Sequence, residues 1–275
     1  MAHELQERYS KLVDAKLRAT LVKKNGVIFN TRCEGKPTAG AVKIPVRDTE
    51  AAVAAYNKGT GAEITKGSTT YLTVPVDKDY AVNELIDGFD AAAVPDNLAA
   101  DRLDSAGYSL ALQMDQDATT ELETAATATG GTAAITKDNV YTSIVAVRTA
   151  MSKAKVPNDG KRWLLVSPDV YAALLEDTEH FIRATSLGDA VVQTGAVGKM
   201  AGFTVFEDVT LSETTDFIAG HPDWCARVEE WQVPVHIQDL SGSGKYIGAS
   251  AVQGRKVYAH KVTKPATLFI KKHTA

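Results

Sequence analysis

Trp163-Leu164-Leu165-Val166-Ser167-Pro168-Asp169-Val170-Tyr171, running on through Leu174-Leu175-Glu176-Asp177, is the stretch that decides the fold. Four successive apolar residues with polar neighbours suit a strand covered on both faces, as in the middle of a sheet. Ser167 then stands where a helix needs a capping oxygen. Pro168 takes the first helical position, where a missing N–H costs nothing. The text therefore predicts a buried strand that turns at once into a helix over Val170–Leu175.

Working outward, residues 136–155 predict a helix capped by Thr136 or Asp138, with Val140, Ile144, Val147 and Met151 on one face. Phe203-Thr204-Val205-Phe206 and Asp216-Phe217-Ile218-Ala219-Gly220 read as further strands. Helix, strand, helix, strand gives the middle of the chain an α/β character. Thr127-Ala128-Thr129-Gly130-Gly131 breaks the pattern on the N-terminal side and marks a domain boundary. Before it, residues 96–126 predict one long helix, with Asp96 as cap and Leu103, Leu110, Met114, Ala118 and Leu122 recurring at helical spacing. After the α/β part, Trp231, Val233, Val235 and Ile237 alternate with Glu230, Gln232, Pro234 and His236, a strand with one buried and one wet face. Ser241-Gly242-Ser243-Gly244 is a turn into Tyr246–Ala251, and Lys256 to Ile270 supplies the last strands.

Two segments near the N-terminus do not close on themselves so readily. Residues 3–23 predict a helix with Leu5, Tyr9, Leu12 and Leu17 near one face, either an ordinary surface helix or an arm lying across a neighbouring subunit. Val42-Lys43-Ile44-Pro45-Val46 and Leu72-Thr73-Val74-Pro75-Val76 alternate as half-buried strands. Their prolines cannot donate to a ladder and confine both strands to edges or extended arms. A long polar excursion with Gly59, Gly61 and Gly67 separates them, with a short helix from Thr49 to Tyr56 behind Asp48. Excursions of that length are functional or disordered, so this one is a surface hairpin or a loop that packs on another subunit.

Composition bounds the function. The chain has 275 residues, 44% hydrophobic and 23% charged, enough for a sizeable core in about two compact parts. A formal net charge of -4 argues against wrapping nucleic acid with a basic face. Cys33 and Cys225 lie far apart and read as packed thiols in a reducing cytoplasm. The charged N-terminus lacks the apolar core of a signal peptide, and no apolar run is long enough to span a bilayer.

A search for chemistry finds none. Gly242-Ser243-Gly244-Lys245 lacks the first glycine of a phosphate loop, the hydroxyl residue after its lysine and a following helix, so it is a turn. Gly195-Ala196-Val197-Gly198 with Gly202 lacks the strand–loop–helix setting of a dinucleotide loop. His3, His180, His221, His236, His260 and His273 form no metal-spaced pair. Glu176–His180 reads as a solvated helix end, and Asp115, Asp117 and Glu121 as an exposed acidic face of the long helix. No catalytic, cofactor-binding or metal residue is assigned, and the chain reads as no enzyme.

The order of segments resembles the major capsid (coat) protein family of tailed bacteriophages, the Hong Kong ninety-seven type of α+β fold that encapsulin shells share. The residues carrying the resemblance are Trp163–Tyr171 through Asp177, then Phe181-Ile182-Arg183, then Gly195-Ala196-Val197-Gly198-Lys199-Met200-Ala201-Gly202-Phe203-Thr204-Val205, which is similar to a Gly-rich run common in coat proteins. The resemblance implies an N-terminal arm (1–35), an extended loop (36–80), a peripheral domain with a long spine helix (81–127 and 223–256) and an axial domain (128–222 and 257–275). It implies self-assembly through pentamer and hexamer capsomers into an icosahedral shell enclosing double-stranded DNA, in the virion capsid, after assembly in the host bacterial cytoplasm. Implied partners are copies of the chain, a portal and a separate scaffolding protein, the chain being too short ahead of its arm for an internal scaffolding segment. No membrane partner and no cofactor is implied. Lys58, Lys66 and Lys78 lie in or near the loop, but nothing marks an Asn partner for the crosslinking of some relatives. An encapsulin shell protein, a phage tail protein and a small α/β enzyme remain as alternatives.

Overall fold

A computed structural model describes residues 16–32, 40–47, 50–51, 53–61, 66–93, 97–177, 180, 182–183 and 196–274. In chain order the described strands and helices begin with β1 (Ala41–Val46), β2 (Thr70–Pro75), β3 (Lys78–Asp87), α1 (Gly88–Ala93) and α2 (Leu98–Ala125). There follow β4 (Thr127–Ala128), α3 (Val140–Lys153), β5 (Trp163–Val166), α4 (Pro168–Glu176), β6 (Ile182–Arg183), β7 (Gly198–Met200), β8 (Phe203–Glu207) and β9 (Thr215–Gly220). The chain ends with β10 (Cys225–Asp239), β11 (Ala249–Val262) and β12 (Phe269–Lys272).

The central sheet has the order β4-β12-β9-β5-β8-β7-β6. Its middle strand is the quoted Trp163–Val166, parallel to β8 and antiparallel to β9. All four of its residues are buried, and they point alternately into two different cores. Leu164 and Val166 face α3 and α4, meeting Val140, Ile144, Val147, Met151, Val170 and Leu174. Each such side chain contributes roughly 1.5–3 kcal/mol by leaving water. Ser167 caps α4 through a bond from the Val170 N–H at 3.4 Å, with Pro168 at the first position. The Gly-rich run supplies the two-residue turn Ala201-Gly202 between β7 and β8. Both residues have positive φ, the backbone that tight hairpins require.

Trp163 and Leu165 face the other way, onto Ala118 and Leu122 of α2 and onto Val22, Ile28 and Phe29. The long helix thus roofs the central sheet with its C-terminal half. Its N-terminal half lies under a second, three-stranded antiparallel sheet, β10-β11-β3, where Leu98, Leu103 and Ala106 meet Val82, Ile86 and Val252. Helix and sheet approach most closely at Gly254. A Cβ there would stand 2.8 Å from Val235 and 3.2 Å from Leu110, so only glycine fits without movement.

Several expectations change. Residues 16–23 form no helix; they run along α2 of their own subunit, with Lys16 bonded to Asp101 (2.7 Å), Arg18 to Asp104 (2.6 Å) and Tyr108 Oη to the Ala19 carbonyl (3.2 Å). Residues 1–15 and Cys33 lie outside the described part. Among the described residues of 49–56 there is no helix either. Asp96 is outside the description; the residue before α2 is Asn97, left-handed at φ 52 and without a side-chain cap bond. β3 and α1 went unread, because Glu84 points inward to Arg102 (2.7 Å) while Leu85 points out, which scrambles the alternation. The alternation of β10 misleads in the opposite sense. Register shifts at Glu229/Trp231 and Val233/His236 leave Trp231 50% and Ile237 44% exposed.

Candidate assembly surfaces

β1 and β2 pair along their whole length, from Ala41↔Pro75 to Val46↔Thr70, as a two-stranded ribbon that no further strand joins among the described residues. Neither proline therefore interrupts a larger ladder. Val74 anchors the base of the ribbon against Val228 and Ala259, with Val42, Ile44 and Val76 packed around it. Beyond the base the ribbon leaves its own core. Tyr71 is 67% exposed, Tyr56 74% and Val53 98%, and a tight turn closes at Asn57–Gly61 (Gly61 N to Asn57 O, 2.8 Å). A two-stranded ribbon is marginal in water on its own, and large exposed side chains at its far end call for a partner surface.

The outer face of the three-stranded sheet offers a second surface. Arg255 forms a two-nitrogen ion pair with Asp79 and lies over the Trp231 ring at 5.3 Å. Asn83 accepts from Gln253 at 3.1 Å, and Leu85 stands half-exposed beside them. At the end of the same sheet Phe89 and Ile247 are both largely exposed, on segments joined by the contact of Gly88 with the Gly248 carbonyl. The Gly242–Lys245 segment is a solvent-facing turn between β10 and β11, and Lys245 lies over Tyr246 at 5.1 Å.

Where α2, the N-terminal segment and the two sheets converge, the acidic residues of the helix turn inward. Asp115 is buried against Lys23 (3.1 Å), Asp117 accepts from Tyr258 Oη (2.7 Å), and Glu121 accepts from Lys261 (3.1 Å) and the Val262 N–H (3.2 Å). The expected exposed acidic face is instead the polar seam that holds the helix to its surroundings. Sequence reasoning missed this because the sequence gives no hint of Lys23 lying opposite. Burial, with Asp117 behind it, pushes the Tyr258 phenol up. His260 sits deeper: its Nε2 accepts from Arg227 Nε at 2.9 Å, and Phe29 and Tyr258 lie against its ring. Burial, reinforced by Arg227, lowers its pKa to about 3. His221, also buried, bonds Asp159 at 3.0 Å and holds that carboxyl down at about 2.

Among the described residues no group of three or more His, Cys, Asp or Glu side chains could hold a metal, and no helix is long and apolar enough to cross a membrane. Cys225 is buried, which pushes its thiol up and away from reactivity. His180 bonds Asp177 at 2.9 Å and stacks on Tyr141 at 3.8 Å, a closure at the end of α4.

The family model described as phage capsid protein matches residues 84–268. Among solved structures, one from Mycobacterium phage Che8 superposes with a TM-score of 0.78 at 23% identity, covering 97% of this chain and 96% of that one. The capsid structure of the cyanophage P-SCSP1u gives 0.76 at 13% identity, covering 98% and 93%. The bacteriophage PhiM1 mature capsid gives 0.70 at 14%, covering 98% and 92%. A search of curated protein sequences finds no match. At these identities the superpositions establish a common fold from end to end.

Proposed function

This chain belongs to the phage capsid protein family, and we propose that it is the major capsid protein of a tailed bacteriophage, closing as pentamers and hexamers into an icosahedral shell around double-stranded DNA. That it forms capsid shells follows from the family and from the Hong Kong ninety-seven-like fold. The observation that carries the finer reading is the ribbon of β1 and β2, anchored at Val74 and exposed along its far end. A projecting ribbon makes each subunit overlap its neighbours. Many such contacts acting at high local concentration give a cooperative shell without any strong pairwise bond.

The division that goes with this reading is an N-terminal arm over 1–35, an extended loop over 36–80, a peripheral domain over 81–127 and 223–256, and an axial domain over 128–222 and 257–275. A separate scaffolding protein and a portal are the further partners proposed, with assembly in the host cytoplasm. The net charge of -4 suits a wall that does not trap DNA as it enters. The protein is structural and turns over no external substrate.

Negative-stain microscopy with light scattering, on the full chain alone and co-expressed with its scaffold, tests this. Closed shells or capsomer rings of uniform diameter are expected in at least one of the two preparations. A monodisperse monomer in both would overturn it.

A further inference from the structure

Lys23 lies between two buried carboxylates. Its Nζ is 3.1 Å from Asp115 Oδ2 and 2.5 Å from Asp208 Oδ2, and it donates to Thr210 Oγ1 at 2.7 Å. The side chains of Lys23 and Asp208 are wholly inaccessible and that of Asp115 nearly so. Three separate parts of the chain meet here: the N-terminal segment, α2 and the turn after β8. We propose that this cluster is a self-modification site, at which Lys23 Nζ and Asp115 Cγ condense to an isopeptide bond with Asp208 as the proton carrier.

The contacts assign the roles. Asp115 Oδ1 accepts the Lys23 backbone N–H at 3.2 Å, which fixes it as the carbonyl oxygen and leaves Oδ2 as the oxygen that departs. Asp208 Oδ1 is engaged by the Thr210 N–H (2.9 Å) and hydroxyl (2.7 Å). Its Oδ2 lies in the ion pair with Nζ and accepts no other hydrogen bond, so it is the oxygen placed to take the ammonium's proton. Thr119 Oγ1 bonds Thr210 Oγ1 at 2.9 Å and closes the remaining side.

One ammonium cannot neutralise two buried carboxylates, so a proton belongs in the site. Burial raises the pKa of Asp115, and the charge of Asp208 adds to that rise against the opposing pull of Lys23. A protonated Asp115 beside a carboxylate and an ammonium holds every proton the condensation needs. The ammonium passes one proton to Asp208 Oδ2. The neutral Nζ adds to Asp115 Cγ and forms the C–N bond. Asp208 hands its proton to the departing Oδ2 hydroxyl and takes the second one from nitrogen. The C–O bond breaks, one water leaves and Asp208 ends as the acid. In a dry site the water does not return, which favours the amide. The bond would lock the N-terminal segment to the spine helix across 92 positions of chain.

This inference concerns one chain and stands apart from the shell reading. Its test is peptide mapping by mass spectrometry of the folded full-length protein. The expected result is a branched peptide joining residues 23 and 115, lighter than its two parts by one water, in most of the folded chains. It should be absent from the Lys23→Arg variant and from Asp208→Asn, which retains both bonded residues. Only unlinked peptides from the folded wild type would show a plain ion cluster and overturn the proposal. A branch from Lys23 to Asp208 would overturn the assigned roles. If Asp208→Asn does not fold, the wild-type map decides alone.

Discussion

Protonating His260 would place a cation beside Arg227 in a buried space, and the consequence can be read as pH dependence. The folded ring titrates near 3 and the unfolded one near 6.5. Between those values the unfolded chain binds more protons, so the stabilising contribution is complete above pH 6.5 and is lost as pH falls from 6.5 towards 3. Each unit in that window costs up to about 1.4 kcal/mol. Urea denaturation of wild type and His260→Gln should give curves that converge as pH falls through this window; parallel curves would show the ring is not held neutral. The difference between the two proteins is the informative quantity, because the other titrating groups contribute equally to both. Gly254 gives a second prediction at this scale. Gly254→Val drives a side chain into Val235 and Leu110 and should lower stability by about 1–3 kcal/mol, read from the denaturation midpoint. Neither position was legible in the sequence. A histidine in an alternating strand and a glycine before an arginine take their meaning from what lies opposite.

Among the elements, α2 was legible in length and facing, but the depth of each residue was not. Leu122 and Ala118 are fully buried because that part of the helix packs into the core of Trp163, Leu165 and Phe29, whereas Leu110 and Met114 of the same stripe are only half-buried. Leu122→Asp should therefore abolish soluble folding, while Leu110→Asp should leave a larger folded fraction. Soluble yield and circular dichroism of the two variants give the comparison, and equal yields would contradict the assigned depths. The ribbon separates in the opposite way. The described residues of its tip contribute little to the core of their own subunit, so deleting residues 48–68 should leave the melting temperature nearly unchanged and abolish shells in the microscope. Shells of normal yield from that deletion would remove the ribbon from the assembly mechanism. The strand β3 shows why element reading failed where it did. A period of two survives only when every second residue is apolar, and Glu84 with Arg102 satisfies the inward face by pairing instead.

For the whole molecule, a shell built from many weak contacts assembles over a narrow range of concentration. Light scattering of assembly-competent protein should stay flat and then rise steeply above a threshold, and a gradual rise from the lowest concentration would argue for independent pairwise association. At this scale the sequence by itself determined the order of parts: a projecting loop, one long helix, an α/β middle and a late antiparallel sheet. Those features rest on local periodicity, caps and breakers, which act within a few residues of one another. Tertiary structure alone decided that residues 16–32 lie along their own subunit, that the acidic row of α2 is an internal seam, and that Lys23 sits between Asp115 and Asp208. Those pairings join residues as far as 204 positions apart. Their energy depends on desolvation and on charges brought together only by the closed fold, and no local pattern encodes that.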